Sequence, residues 1–174
     1  MPDDAFEEYD SPGTIAAIAG ALRELSIEVE TVEADRTLPS RLEAGGYDFA
    51  FNIAEGVGRR CREAVAPALC ELFDLPYTGS DALTLAVTLD KAIARRVVSP
   101  ELRVARAVLL RSEADEPALH DLHYPAIVKP NDEGSSKGIH QDAVVASPAV
   151  AAMLSQRLRR QYGCPVLVEE FLNG

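Results

Sequence analysis

Along the first half of the chain, segments whose apolar residues recur at helical spacing alternate with short, mostly apolar runs. Ser11 and Pro12 form an N-cap and first-turn pair that predicts the start of a helix. A strand is predicted at 27–32, a short helix at 39–44, and a second strand at 47–53, where apolar positions alternate. This order predicts a parallel sheet with covering helices. The apolar stripe of the first helix comprises Ile15, Ile18, Ala19, Leu22 and Leu25.

A further helix is predicted at 61–73, with Val65, Leu69 and Leu72 on its core face. After a break rich in Pro and Gly, residues 83–98 are predicted as one or two helices. A doubly wound sheet normally has a central first strand, and this sequence opens with the helix that would follow one. We therefore expect the first strand to be lacking.

The pattern changes at Ser99–Pro100, so we place a domain boundary there and expect domains at 1–98 and 99–174. The second half has apolar alternation typical of short strands around a single long helical stripe at 147–162. The strands are predicted at 104–110, 124–130, 139–147 and 165–174. Together they predict a small α+β unit built on hairpins.

Composition and charge narrow the class of protein. The chain has 174 residues, of which 47% are hydrophobic and 26% charged, as in soluble globular proteins. The net charge of −11 argues against binding nucleic acid or an anionic membrane, since both require a basic surface. The acidic start is not a secretory signal, and the three cysteines lack paired spacing. We expect a cytoplasmic protein with reduced thiols.

The densest candidate chemistry lies at 126–139, in the sequence AIVKPNDEGSSKGI. Lys129 ends an apolar strand, and Gly134 and Gly138 give backbone N–H groups freedom to approach an anion. Two serines add hydroxyl donors, and Lys137 adds a second charge. This combination suits a polyphosphate, although an ordinary flexible hairpin turn is the alternative.

With four other segments, this loop makes the chain resemble ATP-grasp ligases of the D-alanine–D-alanine ligase type. The segments, in family order, are YDSPGTIAAIAGAL, FNIAEG, LPYTGSDALTLAVTLDK, YPAIVKPNDEGSSKGI and VLVEEFLNG. The resemblance implies an α/β fold: a partial Rossmann-like pre-ATP-grasp domain over 1–98, then the N-terminal α+β lobe of an ATP-grasp domain over 99–174. It also implies that the lobe stops before the metal-binding half.

The same resemblance implies an ATP site. Lys91 and Lys129 would contact the phosphates, the loop from Glu133 to Gly138 would fold over the triphosphate, and Glu169–Leu172 would form the adenine edge. Glu170 stands where relatives often carry Lys. The implied cofactor-binding residues are Lys91, Lys129, Glu133, Gly134, Ser135, Ser136, Lys137, Gly138, Glu169, Glu170, Phe171 and Leu172.

The substrate side departs from the family pattern after FNIAEG, because the expected histidine is replaced and arginines enter where acids are expected. Glu55, Arg59, Arg62 and Glu63 are the candidate substrate-binding residues. Their arginines either grip a carboxylate bidentately or form a solvated loop at a helix N-terminus. The departure weakens the case for D-alanine as the substrate.

The resemblance implies ATP-dependent joining of an amino-acid-like carboxylate to an amine through an acylphosphate, in peptidoglycan biosynthesis. In relatives, the Mg²⁺ ligands and the basic residue that stabilises the oxyanion lie beyond the position of Gly174. We therefore expect this chain alone to be inactive, to expose an apolar face, and to associate with a C-terminal half or a homodimer partner. The alternative is a non-catalytic nucleotide-binding or interaction module.

Overall fold

A computed structural model describes residue 4 and the ranges 7–56, 58 and 60–172. These residues form two compact units. The N-terminal unit is Glu7–Ala86, and the C-terminal unit is the range 87–172 together with Asp4. In the described part of the chain, no helix is both long and apolar enough to cross a membrane.

Helices make up the regular secondary structure of the N-terminal unit in its described residues, apart from one isolated β-bridge. Ser11 caps the first of them, because its hydroxyl accepts the backbone N–H of Thr14 at 3.1 Å and Pro12 follows at the first helical position. The predicted start of this helix is therefore confirmed. The helices are α1 (Pro12–Glu24), α2 (Leu38–Gly45), α3 (Val65–Leu72), which follows a 3₁₀ turn at Arg62–Ala64, and α4 (Ala82–Leu89), which runs into the C-terminal unit.

The two strands predicted in this unit are wrong for the described residues. Segments 27–32 and 47–53 have no regular secondary structure, apart from one parallel bridge between Ala50 and Tyr77. Phe49 and Phe51 alternate as expected but are 54% and 47% exposed. A strand needs a hydrogen-bonded neighbour along its length, and among the described residues these segments pair only at that bridge.

The core face of α3 also differs from the prediction. Val65 and Leu72 are exposed, and the helix instead buries Ala66, Pro67 and Cys70. The 3₁₀ turn before α3 has three residues per turn, which shifts the phase of the apolar stripe. Helix α3 packs against α2.

The C-terminal unit confirms the predicted hairpin-based α+β architecture. Its sheet has the order β1-β4-β2-β3, with every neighbouring pair antiparallel. Ser147 caps the long helix by accepting the N–H of Val150 at 3.5 Å, and this helix packs on β2. The elements are α5 (Lys91–Val98), β1 (Ala107–Leu110), a 3₁₀ segment (Glu113–Asp121), β2 (Ala126–Pro130), β3 (Val144–Val145), α6 (Pro148–Tyr162) and β4 (Val166–Glu170).

One apolar core stabilises the C-terminal unit and determines on which face of the sheet the charged side chains lie. Along β2, Ala126, Val128 and Pro130 are buried, while Ile127 and Lys129 lie on the other face. Because side chains alternate across a strand, packing one face against α6 directs Lys129 away from the core. The fully buried side chains include Leu110, Leu119, Leu158, Val128, Val166 and Val168, each worth about 1.5–3 kcal/mol of burial.

Helix α5 makes tertiary hydrogen bonds within the C-terminal unit, to Asn131, Glu133 and Glu169. The domain boundary expected at 98/99 assigned this helix to the first domain. The structure groups it with the sheet that carries Lys129.

Candidate functional site

All three lysines of the chain lie around the loop that joins β2 to β3. Lys91 begins α5, and its Nζ donates to the backbone oxygens of Asn131, at 3.3 Å, and Glu133. Lys129 lies near the end of β2, and Lys137 lies within the loop, where its Nζ contacts Glu133 Oε2 at 2.6 Å. The fold therefore concentrates positive charge from three separate sequence positions at one loop.

Glu169 on β4 joins two cations, Lys129 and Arg95, on the side of the sheet opposite α6. Its Oε2 accepts from Lys129 Nζ at 2.6 Å, and its Oε1 accepts from the Arg95 guanidinium of α5. The register pairs Glu169 with Ile127, which makes Lys129 a diagonal neighbour on the same face. The three charged side chains are only 15–21% exposed, so the carboxylate links β2, β4 and α5 in a shielded position.

The loop itself holds unusual backbone conformations. Ser135 and Ser136 have φ values of 44° and 60°, a left-handed region that L-residues rarely adopt. Two turns close around them, with Lys137 N donating to Gly134 O and Ile139 N to Ser136 O, each at 2.9 Å. Such strain costs about 1 kcal/mol or more per residue and is concentrated at functional sites. The two exposed serines therefore mark this loop as a candidate binding element.

Gly138 ends the loop at a position that no other residue fits. Its φ is +72°, and an added Cβ would lie 2.6 Å from Pro130 Cγ. The backbone N–H of Gly138 donates to Asp4 Oδ2 at 2.8 Å, and Tyr162 of α6 donates its hydroxyl to the same oxygen at 2.7 Å. Burial raises the pKa of Asp4, but the hydrogen bonds from Tyr162 and Gly138 outweigh it and hold that pKa below its ordinary value.

Asn131 and Asp90 are site residues that the sequence analysis missed. Asn131 is 2% exposed; its Oδ1 accepts the backbone N–H of Ala92 at 3.0 Å, and its Nδ2 donates to Asp90 Oδ1 at 2.8 Å. Asp90 also caps α5 by accepting the N–H of Ile93 at 3.0 Å. An Asp directly before a helix is a recognisable N-cap, whereas Asn131 has no periodic or spacing signal.

Lys91 is a desolvated cation. Burial lowers its pKa most, and the nearby charge of Lys129 lowers it further, while Asp132 and Glu133 act in the opposite direction. Burial also raises the pKa of the Cys164 thiol to about 11, with the charge of Asp132 as the next cause. A desolvated ammonium such as that of Lys91 is attracted to an incoming anion more strongly than a solvated ammonium is.

The predicted adenine edge is only partly assembled around these groups. Glu169 is brought beside Lys129, but Glu170 Oε1 accepts the backbone N–H of His123 at 2.9 Å. The backbone N–H of Phe171 donates to Pro125 O at 2.9 Å, and both Phe171 and Leu172 expose their side chains. Phe171 and Leu172 thus leave apolar surface beyond the end of β4.

The predicted substrate residues lie in the N-terminal unit. Arg62 is not a solvated charge, because it is 5% exposed and its Nη2 donates to Glu8 Oε1 at 2.7 Å. Glu55 and Glu63 are half-buried near this pair, and burial first, then the charges of Glu63 and Glu8, raise the pKa of Glu55. Arg59 lies outside the described residues. Arg62 thus does grip a carboxylate, but one from its own chain.

The part of the chain that the structure describes contains no group of three or more His, Cys, Asp or Glu side chains arranged to hold a metal ion.

Comparisons with known proteins agree with the resemblance given by the five segments. The chain is 32% identical over 160 residues to the D-alanine–D-alanine ligase of Geobacter sulfurreducens, covering 91% of this chain and 49% of that protein. It is 34% identical to the ligase of Aquifex aeolicus, with 91% and 53% covered, and 30% identical to the uncharacterized protein y4sG of Sinorhizobium fredii, with 93% and 50% covered. No protein-family model matches.

Solved structures agree on the fold. The D-alanine–D-alanine ligase of Bacillus anthracis superposes with a TM-score of 0.73 at 20% identity, covering 95% of this chain and 55% of that one. The same enzyme complexed with ATP gives a TM-score of 0.71 at 18% identity. The chain spans about half the length of the curated relatives it matches. It is therefore D-alanine–D-alanine ligase-like in sequence and fold, and it fits the N-terminal portion of such an ATP-grasp ligase.

Proposed function

We propose that this chain supplies the nucleotide-binding part of an ATP-dependent carboxylate–amine ligase of D-alanine–D-alanine ligase type. The observation that carries the proposal is the convergence of Lys91, Lys129 and Lys137 on one strained Ser-Gly loop. A cytoplasmic role in peptidoglycan biosynthesis belongs to the same proposal and rests on the named relatives.

The reaction has two steps. A carboxylate oxygen of the first substrate attacks the γ-phosphorus of ATP, ADP leaves, and an acylphosphate forms. The amine of the second substrate then attacks the acyl carbon, phosphate leaves, and the amine loses a proton to give the amide. Phosphoryl transfer depends mostly on positioning and on neutralising charge, which are the tasks that lysines and backbone N–H groups perform.

The ion pair between Lys129 and Glu169 is compatible with ATP binding. An ammonium has three donors, so Lys129 can keep Glu169 and still donate to a phosphate oxygen. A carboxylate has about four acceptor sites, so Glu169 can accept from the exocyclic amine of adenine while it holds Lys129 and Arg95. Lys91 Nζ lies at the base of the loop, where it would reach the phosphates of the nucleotide.

Two kinds of substrate belong to the proposal, an amino-acid-like carboxylate and an amine. The N-terminal unit carries the candidate residues Glu55, Arg62 and Glu63, and the buried pair of Arg62 with Glu8 makes Arg62 a structural group there. We therefore assign contact with the substrate to Glu55 and Glu63 before Arg62.

The test is ATP binding by the whole chain, measured by calorimetry with and without Mg²⁺. Lys129→Met removes a charge-assisted hydrogen bond, worth about 1.5–3 kcal/mol, so we expect affinity to fall about 10-fold or more. Arg157→Met is the matched control, because it removes one positive charge from an exposed pair with Asp142 in the same unit. Its affinity should stay within about twofold of wild type.

A second assay measures ADP release over a panel of amino acids, with the chain alone and with the coding sequence that follows it co-expressed. ADP release that depends on an amino acid would establish ligation. ATP binding that is independent of Mg²⁺, without ADP release under either condition, would instead establish a non-catalytic nucleotide-binding module. A wild-type chain that binds no ATP at millimolar concentration would refute the proposal.

A further inference from the structure

The loop after β2 and the first turn of α5 are joined through one buried side chain. Asn131 donates from Nδ2 to Asp90 Oδ1 at 2.8 Å and accepts at Oδ1 from Ala92 N at 3.0 Å. Its backbone oxygen accepts from both nitrogens of Lys91, the main-chain N at 3.1 Å and Nζ at 3.3 Å. The start of this helix is thus capped by a residue about 40 positions away along the chain.

We propose that Asn131 is a positioning residue that sets the Lys91 ammonium at the base of the 133–138 loop. The first-turn N–H groups of a helix have no partner within the helix. Asn131 satisfies the N–H of Ala92 and orients Asp90, which satisfies the N–H of Ile93. Together these contacts fix the position of the first turn of α5, and therefore the backbone position from which the Lys91 side chain extends.

The position of Asn131 is itself fixed by the sheet. Its backbone N–H donates to the carbonyl of Pro165, directly before β4, at 2.9 Å. Pro130, the residue before it, ends β2 and is fully buried. Asn131 therefore transmits the geometry of two central strands to the start of α5, and Lys91 extends that link to the carbonyl of Glu133.

The chemistry of this position requires an amide. A leucine of similar size would leave the N–H of Ala92 and one contact of Asp90 unsatisfied, and an aspartate would place two carboxylates in contact. An amide offers a donor on one side and an acceptor on the other. For a junction whose only task was to fill space, an apolar side chain would suffice, so the amide indicates that orientation is what the position supplies.

The link to function rests on the proposed nucleotide site. With Lys91 fixed relative to the loop, its ammonium is preorganised toward an anion held by the loop's backbone. Preorganised charge is effective because it needs no rearrangement when the ligand arrives. We expect loss of the amide to release Lys91 while the pair of Lys129 with Glu169 is kept.

The experiment uses the three lysines as separate reporters. Amines are acetylated at one fixed pH, and the rate at each lysine is read by peptide mass spectrometry. In Asn131→Ala, we expect the rate at Lys91 to rise about fivefold or more, with the rates at Lys129 and Lys137 within about twofold of wild type. Asn52→Ala is the matched control, because its Oδ1 also accepts a backbone N–H, that of Ala54 at 3.1 Å, in the other unit.

A structural role alone has a different signature. Leu119→Ala, which opens the buried core of the C-terminal unit, should raise the rates at all three lysines together. If Asn131→Ala raises all three rates by a common factor, or changes none, the proposal is overturned. If Asn131→Ala does not fold, Asn131→Ser is measured; its shorter hydroxyl cannot span both partners, so the same selective rise at Lys91 is expected.

ATP binding by the same variants separates this proposal from the proposed function. A selective rise at Lys91, together with an ATP affinity at least threefold weaker than wild type, supports both. If the wild-type chain itself binds no ATP, a selective rise at Lys91 in Asn131→Ala supports the positioning role, and the nucleotide site is refuted. ATP binding with unchanged lysine rates in Asn131→Ala refutes the positioning role alone.

Discussion

The buried ion pair between Arg62 and Glu8 leads to a sharp stability prediction for the N-terminal unit. Their side chains are 5% and 4% exposed, and the two charged groups are 2.7 Å apart. Arg62→Met keeps most of the length of the side chain but leaves the carboxylate of Glu8 buried without this cation. Breaking such a pair by removing one partner costs about 3–5 kcal/mol. We therefore expect the free energy of unfolding of this unit to fall by about that amount.

The cysteines provide an assay that resolves the two units. Cys61 is exposed, Cys70 is buried in the N-terminal unit, and Cys164 is buried in the C-terminal unit. Pulsed alkylation along a urea series, read by mass spectrometry, therefore reports each unit by its own thiol. With a urea slope of about 1–3 kcal/mol per M, a loss of 3 kcal/mol moves the Cys70 midpoint down by about 1–3 M. The Cys164 midpoint should stay in place.

Two further variants decide what the result means. Arg41→Met breaks an exposed pair with Glu30 in the same unit, for which we expect a loss of about 0–1 kcal/mol. Combining Arg62→Met with Glu8→Met removes both buried charges, so the double variant should be more stable than Arg62→Met. A Cys70 midpoint in Arg62→Met no lower than that of Arg41→Met would refute the structural assignment and return Arg62 to the candidate substrate-binding residues.

The remaining predictions concern three other buried or half-buried positions. Ser155 is fully buried, and its hydroxyl has no hydrogen-bond partner among the described residues. Ser155→Ala should therefore raise the free energy of unfolding of the C-terminal unit by about 1 kcal/mol, seen as a higher Cys164 midpoint. Leu158→Ala leaves a cavity in the core and should lower the free energy of unfolding of the C-terminal unit by about 2–5 kcal/mol, again read from the Cys164 midpoint. An unchanged midpoint would contradict the packing described. Burial, then the charges near it, raise the pKa of Glu55, so its ionised form disfavours the folded unit. Glu55→Gln should therefore raise the Cys70 midpoint at pH 7, and the gain should fade as the pH falls through that raised pKa, because the wild-type carboxyl is then protonated; a gain that persists at low pH would count against this origin.

The sequence predicts the second half of the fold well because its signals are local. Ser147 and Pro148 mark the start of α6, and the apolar run before Lys129 predicts the strand near whose end this lysine lies. The predictions of strands at 27–32 and 47–53 are wrong because apolar alternation alone does not show whether a segment has a partner strand. Alternation describes which faces a segment offers, but a strand also needs a neighbour, and the described residues provide only the bridge at Ala50.

The candidate site also contains residues that could be predicted from the sequence and residues that could not. The lysines and the Ser-Gly loop could be predicted because each carries its chemistry in its own residue type. The supporting groups could not: Asn131 acts on a helix about 40 positions earlier, and Arg62 finds Glu8 54 positions away. Such pairings are decided by tertiary packing, so the sequence shows the charged groups of the site and not the contacts that orient them.

The contact of Asp4 with Gly138 and Tyr162 has a consequence for the order in which the molecule folds. These partners lie 134 and 158 positions after Asp4, so Asp4 is synthesised well before either of them. Glu7–Ala86 is complete before those partners are made and can fold first, because domains generally fold as units during synthesis. The end of the Ser-Gly loop is thus secured only after the residues of the N-terminal unit, which lie between Asp4 and its two partners, have been made.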